Sequence, residues 1–256
     1  GQFTSINYSS YEYVSWTFRK APKFFDVVTY SGDGTNNRQI AHNLGCQFGM
    51  LIVKCTSHTN QWIVWHISTG NGKYLVLNET NAQDDDLYNF FGSDNTTNGS
   101  THFSVSSNTR ANESGKTYVA YLFAHNNSDG EFGPDADQDI IKCGSYTGNY
   151  TAFKDINLGF EPQWVLIKNV STANRDWLVF DNMRGAVTGG DDAWLRVDNN
   201  QQEYSNELIE FRANGFSVAD DTNVNQSGNT HIYMAIRRGP LAIPEDVTKL
   251  FSIDTQ

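Results

Sequence analysis

The chain has 256 residues and a mass of 28.7 kDa, and 38% of its residues are hydrophobic and 13% aromatic, enough apolar material for one large core or two medium ones. Eighteen Lys and Arg against 29 Asp and Glu leave a formal charge of −11 and a pI near 4.8, which removes the cationic footprint that nucleic acids and anionic membranes require. Only 18% of residues are charged while 27 are Asn, a composition that suits turns and strand edges and disfavours long helices.

At the N-terminus, Tyr13-Val-Ser-Trp-Thr-Phe18 matches Tyr118-Val-Ala-Tyr-Leu-Phe123 much later in the chain. Residues 1–22 are therefore expected to be the last strand of a preceding unit with its linker. Short runs rich in Val, Ile, Phe, Tyr and Trp then alternate with Gly, Asn, Ser and Thr clusters. They predict strands at 24–30, 48–55, 61–67, 73–78, 102–106 and 117–124. Residues 127–138 read as a linker. A second set of strands is predicted at 140–146, 164–169, 176–181, 193–198, 216–219 and 230–236, with 207–211 fitting either one more strand or a short helical turn. Residues 240–256 are left as a tail.

The two sets are copies. Tyr30-Ser-Gly32 returns as Tyr146-Thr-Gly148, Asn43-Leu-Gly45 as Asn157-Leu-Gly159, and Met50-Leu-Ile-Val-Lys54 as Trp164-Val-Leu-Ile-Lys168. Trp62-Ile-Val-Trp65 returns as Trp177-Leu-Val-Phe180, Phe103-Ser-Val105 as Phe216-Ser-Val218, and Asn112-Glu-Ser-Gly115 as Asn225-Gln-Ser-Gly228. An ordered series of this kind is the signature of tandem units. Six or more short strands in each must bury one face against a second sheet, so the expected fold is all-β: two antiparallel β-sandwiches, 23–126 and 139–239.

Catalytic signals are missing. There is no GxSxG elbow, Gly70-Asn-Gly72-Lys73 lacks the rest of a phosphate loop, and the six histidines have neither HxH nor HExxH spacing. Cys46, Cys55 and Cys143 have no CxxC partner and read as small buried hydrophobes. His42, which stands where the second copy has Ile156, reads as a hydrogen-bonded surface group in a turn. Asp135, Asp137 and Asp139 resemble the start of a calcium loop, but Ile140 and Tyr146 occupy the places that need Gly and Glu. No cofactor is expected, with calcium at these three carboxylates as the only metal candidate. The copies agree in their strands and differ at 84–99 and 185–203. Asp84, Asp85, Asp86, Tyr88, Phe90 and Phe91 fall in the first of these segments. Exposed rings there would stack on sugar faces, while the equal alternative is a loop tucked onto its own sandwich.

The combination Phe24-Phe-Asp-Val-Val-Thr-Tyr-Ser-Gly32, His42-Asn-Leu-Gly45, Tyr118-Val-Ala-Tyr-Leu-Phe-Ala124 and Ile232-Tyr-Met-Ala-Ile-Arg-Arg-Gly-Pro240 resembles bacteriophage tail proteins of marine and cyanobacterial phages with tandem concanavalin-like or jelly-roll-like repeats. The resemblance implies a non-enzymatic virion component, a tail or tail-fibre protein on the particle's outer surface. It would contact other virion subunits as a homo-oligomer and would attach to host-surface glycan or protein, with no nucleic acid and no membrane insertion. The alternative within this resemblance is a structural spacer or decoration protein. It offers no catalytic or binding residues to carry over.

Overall fold

The computed structural model describes residues 12–87, 90–92, 95, 99–186 and 188–239, and it is all-β. The first unit runs through β1 (Phe25–Ser31), β2 (Arg38–Ala41), β3 (Phe48–Cys55), β4 (Trp62–His66), β5 (Lys73–Val76), β6 (Asp84–Asp85), β7 (His102–Val105) and β8 (Thr117–Ala124). Six of these make an antiparallel sheet in the order β1-β8-β3-β4-β5-β6, and β2 pairs with β7 in a second layer. The second unit has β9 (Ile141–Thr147), β10 (Lys154–Asn157), β11 (Pro162–Asn169), β12 (Trp177–Asp181), β13 (Asp192–Arg196), β14 (Tyr204–Asn206), β15 (Ile209–Arg212), β16 (Gly215–Val218) and β17 (Thr230–Arg237). Its large sheet has the same order, β9-β17-β11-β12-β13-β14, and its small sheet is β10-β16-β15. Even the irregularities repeat: β3 and β11 shift register against β8 and β17 at Phe48/Met50 and at Pro162/Trp164. A bulge at a strand's first residue is also where a proline lacking an N–H fits.

The repeated sequence landmarks are structural fastenings. Tyr30 Oη donates to the Ala111 carbonyl at 2.6 Å and Tyr146 Oη to that of Val224 at 2.5 Å. Asn112 and Asn225 are buried, and each holds a loop from both ends of its amide: Nδ2 donates to the carbonyl of Thr35 or Thr151, while Oδ1 accepts the backbone N–H of Asp33 or Asn149. Gly32 and Gly148 lie so close to the following turn that a Cβ would fall on the carbonyl oxygen of Glu113 or Gln226. Twelve runs expected as strands form within a residue or two. β2 and β10 escape a sequence reading because each carries one buried apolar residue, Ile40 or Ile156, among polar ones. The stretch 207–211 resolves as strand β15.

The two units are not separate bodies joined by a linker. Val165, Ile167, Leu178, Phe180, Tyr233 and Ala235 face the second unit's own small sheet, where Ile156, Phe216 and Val218 meet them. Their alternates Trp164, Leu166, Trp177, Val179, Ile232 and Met234 instead join one cluster with Met50, Ile52, Val64, Leu75 and Phe123 of the first unit. The outer face of each large sheet thus covers the other. Across this contact His66 Nε2 lies 3.1 Å from the Tyr233 carbonyl, Trp177 Nε1 donates to the Val76 carbonyl at 3.0 Å, and Gly49 leaves the space that Cys143 occupies. A sheet buried on both faces needs apolar residues at consecutive positions, which explains the unbroken runs of β3 and β12. Residues 127–138 form a fastened turn, bridged at Phe132 and Gln138 and closed by the Asp139 carboxylate.

Residues 12–20 correct an expectation, for they form no strand. The place that their sequence matches, between a first and a third strand, is filled by β8 in one unit and β17 in the other. The segment is held by side chains instead. Phe18 packs against Phe24, Phe25, Phe123 and Trp164, and Trp16 Nε1 donates to Asp181 Oδ2 at 3.0 Å beneath the Arg184 guanidinium. It therefore straps the first unit to the second. Residues 1–11 and the expected tail 240–256 lie outside the described residues. The three cysteines are free and buried, as small core residues. His42 is buried as well, not on the surface: its Nδ1 accepts the Leu44 N–H and its Nε2 lies 3.2 Å from the Gly99 carbonyl.

Candidate functional site

Of the two expectations for the 84–91 segment, rings presented to sugars or a loop tucked onto its own sandwich, Phe90 and Phe91 follow the second. Asp86 is buried, and its two carboxylate oxygens accept the N–H groups of Phe90 and Phe91 at 2.7 and 2.9 Å. Burial pushes this carboxyl above the usual range, and the two amides oppose that shift. Turned this way, Phe91 bridges to Val105, and Phe90 packs edge-on against Tyr74 at 4.6 Å with the Arg110 guanidinium 5.2 Å above its ring. Phe90 and Phe91 are core residues, so neither of these two rings is presented for sugar stacking; Tyr88 lies outside the described residues.

This loop does have a counterpart, contrary to the sequence reading. In the second unit Asp192 Oδ2 accepts the N–H groups of Leu208 and Ile209, both at 3.0 Å. The carbonyls of Phe90 and Leu208 then accept the same kind of onward bond, from Ser106 and Ala219. The carboxylate comes from opposite strands of the hairpin: Asp192 starts β13, whereas Asp86 follows β6 and pairs through its N–H with Gly72. One clamp has thus been built from two different positions, and no linear alignment pairs them.

Asp84 and Asp85 form the short edge strand β6, opposite Tyr74 and Lys73. Asp85 is taken by the Lys73 ammonium. Asp84 faces a cavity of about 340 Å³ that is also lined by Gln61, Tyr74, Val76, Glu79, Asn81 and Arg110, with Ala173 of the second unit as one wall. The segment carrying Glu79 and Asn81 is pinned to the second unit by Gln83 N–H on the Val170 carbonyl at 3.0 Å and Arg175 N–H on the Thr80 carbonyl at 3.2 Å. Within it, Glu79 accepts the side-chain amides of Gln61 and of Asn81, the latter at 2.8 Å. The Gln61 side-chain Oε1 is buried and has no hydrogen-bond partner among the described residues. The Tyr74 phenol is pushed up by burial and then by the Asp84 carboxylate, so it stays a neutral donor and acceptor. The cavity is therefore acceptor-rich, with one guanidinium.

Strand register identifies the same corner in the second unit. Gln61, Tyr74, Val76 and Asp84 correspond to Asp176, Trp194, Arg196 and Tyr204. Those four close on one another. Trp194 and Tyr204 stack at 4.7 Å, Arg196 lies over the Tyr204 ring at 4.5 Å, and its Nε is 3.1 Å from Asp176 Oδ2. Two register positions carry the difference, Val76 against Arg196 and Asp84 against Tyr204. A comparison of side-chain size at paired strand positions would have pointed to Val76 and Asp84; Gln61, Glu79, Asn81 and Arg110, which stand beside them, were not singled out by the sequence reading.

The calcium candidates do not gather. Asp135 and Asp137 are exposed on the linker turn, while Asp139 accepts the N–H groups of Ser128 and Gly130 at 2.9 and 3.0 Å, whose positive ends occupy the approach a cation would take. Among the described residues no group of three or more His, Cys, Asp or Glu is arranged to hold a metal ion.

No curated protein and no solved structure matches this sequence. Residues 2–240, which span both repeats and the segment before them, match the family described as Domain of unknown function (DUF7483), and the chain belongs to that family.

Proposed function

We propose that this chain is a non-enzymatic attachment protein on the outside of a virion, part of a tail or tail fibre, which holds host-surface material in the corner cavity of its first unit. The observation that carries the reading is internal: one repeat keeps this corner open and lined by polar side chains, while the other fills it with a ring stack and an ion pair. The likeness to phage tail proteins in the shared strands supplies the setting, and an oligomer of many copies makes weak single sites sufficient through avidity. The test replaces Glu79 and Asp84 by Gln and Asn, which keeps shape and removes charge, and measures adsorption of particles to host cells. Adsorption should fall; unchanged adsorption with an unchanged melting curve overturns the reading.

A second reading, a spacer whose contacts are with other virion subunits, is favoured by the apolar side chains at the strap. Met183, 90% accessible, lines a groove with Trp16 and Trp164, and Tyr13 and Val14 are exposed just before Trp16 in the chain. For this reading the Trp16 and Met183 surface would be the one covered on assembly, and Met183→Lys would impair particle assembly while leaving adsorption of assembled particles intact.

A further inference from the structure

Resting on the attachment reading, we propose that the corner cavity takes a neutral, hydroxyl-rich sugar residue, held by Gln61, Glu79, Asp84 and Arg110. Burying an acceptor without a donor costs about 1–3 kcal/mol, and the side-chain Oε1 of Gln61, a residue that lines the cavity, is such an acceptor, closed to solvent in this arrangement. A rotation of the Gln61 amide toward the cavity would offer this oxygen to an incoming O–H. Glu79 and Asp84 add further acceptors, and the planar carboxylate matches two neighbouring hydroxyls. Arg110 gives the complementary donors; its guanidinium is steadied over Phe90 at 5.2 Å. Two carboxylates against one guanidinium leave the site negative in a chain of charge −11, so an anionic sugar is repelled where a neutral one is not. A cavity of about 340 Å³ is at the lower end of small-ligand sites, the size for one ring rather than a long chain.

The second unit supplies a design for closing the site. Installing its residues in the first unit, Gln61→Asp, Val76→Arg and Asp84→Tyr together, should rebuild the ion pair and fill the hollow; Glu79→Gln is the milder companion should the triple change disturb folding. The purified full chain is titrated calorimetrically with the methyl glycosides of glucose, galactose and mannose, with methyl glucuronide as the anionic arm, and adsorption to host cells is measured in parallel. At least one neutral glycoside should bind with a dissociation constant on the order of 1 mM and outbind the glucuronide. The closed variant should lose at least about tenfold in affinity, and Glu79→Gln about fivefold. Equal binding by the closed variant overturns the site, and preference for the glucuronide overturns the ligand class. If no neutral glycoside binds while closure still abolishes adsorption, the sugar assignment fails and the attachment reading survives. If neutral glycosides bind but closure leaves adsorption unchanged, the attachment reading fails and the sugar site stands.

Discussion

The β5–β6 corner of the first unit and the β13–β14 corner of the second begin from the same strand pairing and end as a cavity and as a packed cluster. Their backbones are interchangeable in order and register, so the difference lies in side-chain volume at two positions. Where Arg196 and Tyr204 stand, a cation and two rings close on one another; where Val76 and Asp84 stand, the short side chains leave room. Duplication lets one copy keep the packing while the other is hollowed. The hollowed copy is also the one whose wall is borrowed from its neighbour, through Ala173 and the bonds at Thr80 and Gln83.

The largest effect expected from contrasting the units is on pH stability. His66 of the first unit and His231 of the second are both buried, and burial drives each from 6.5 down to about 4. The unfolded chain takes up a proton at each as pH falls through 6.5 while the folded chain refuses it. Stability is therefore complete above pH 6.5 and is lost down to about pH 4, by roughly 3 kcal/mol per histidine. Urea unfolding at pH 7, 5.5 and 4 should show the loss, and His66→Gln and His231→Gln should each flatten it. An unchanged slope in both variants contradicts this assignment.

Next in size are the two carboxylate clamps. Asp192→Ala strands two buried N–H groups and should cost roughly 3 kcal/mol; Asp86→Ala, at the less completely buried clamp, roughly 2 kcal/mol. Denaturant midpoints measure both. If Asp86→Ala is neutral, the first unit's loop is held by something other than its clamp.

A smaller contrast separates the two arginines. Arg196→Ala removes an ion pair with Asp176 and a stack on two rings and should cost about 1–2 kcal/mol, whereas Arg110→Ala removes one ring contact and should cost less than about 1 kcal/mol. Thermal melts of the two variants side by side give the order. A larger loss for Arg110→Ala would mean that the first corner is the better packed of the two.

Much of the framework is legible in the sequence because its strands are buried on both faces, as in the runs Met50 to Val53 and Leu178 to Phe180. The fastenings Tyr30, Asn112, Tyr146 and Asn225 recur for the same reason, each making the same bonds in both copies. Exposure and burial of Phe90 and Phe91 stayed equally open in the sequence because their neighbours are polar, while the capture of their amides by Asp86 depends on a turn that no local pattern encodes. The cavity was invisible for a different reason: Gln61, Glu79, Asp84, Arg110 and Ala173 come together only once β4, β5 and β6 pair and the second unit docks. Face-to-face docking itself left a trace in the absence of in–out alternation along β3 and β12, a pattern that a single solvent-facing sandwich would not require.

The most direct test of the contrast between the corners is a titration followed by amide and side-chain NMR, using the full chain and the methyl glycoside that binds best. Shifts should be confined to Gln61, Tyr74, Glu79, Asp84 and the Arg110 side chain, with Trp194, Arg196 and Tyr204 unmoved. Shifts at the second corner of equal size, or shifts clustered elsewhere on the surface with the first corner silent, would contradict it.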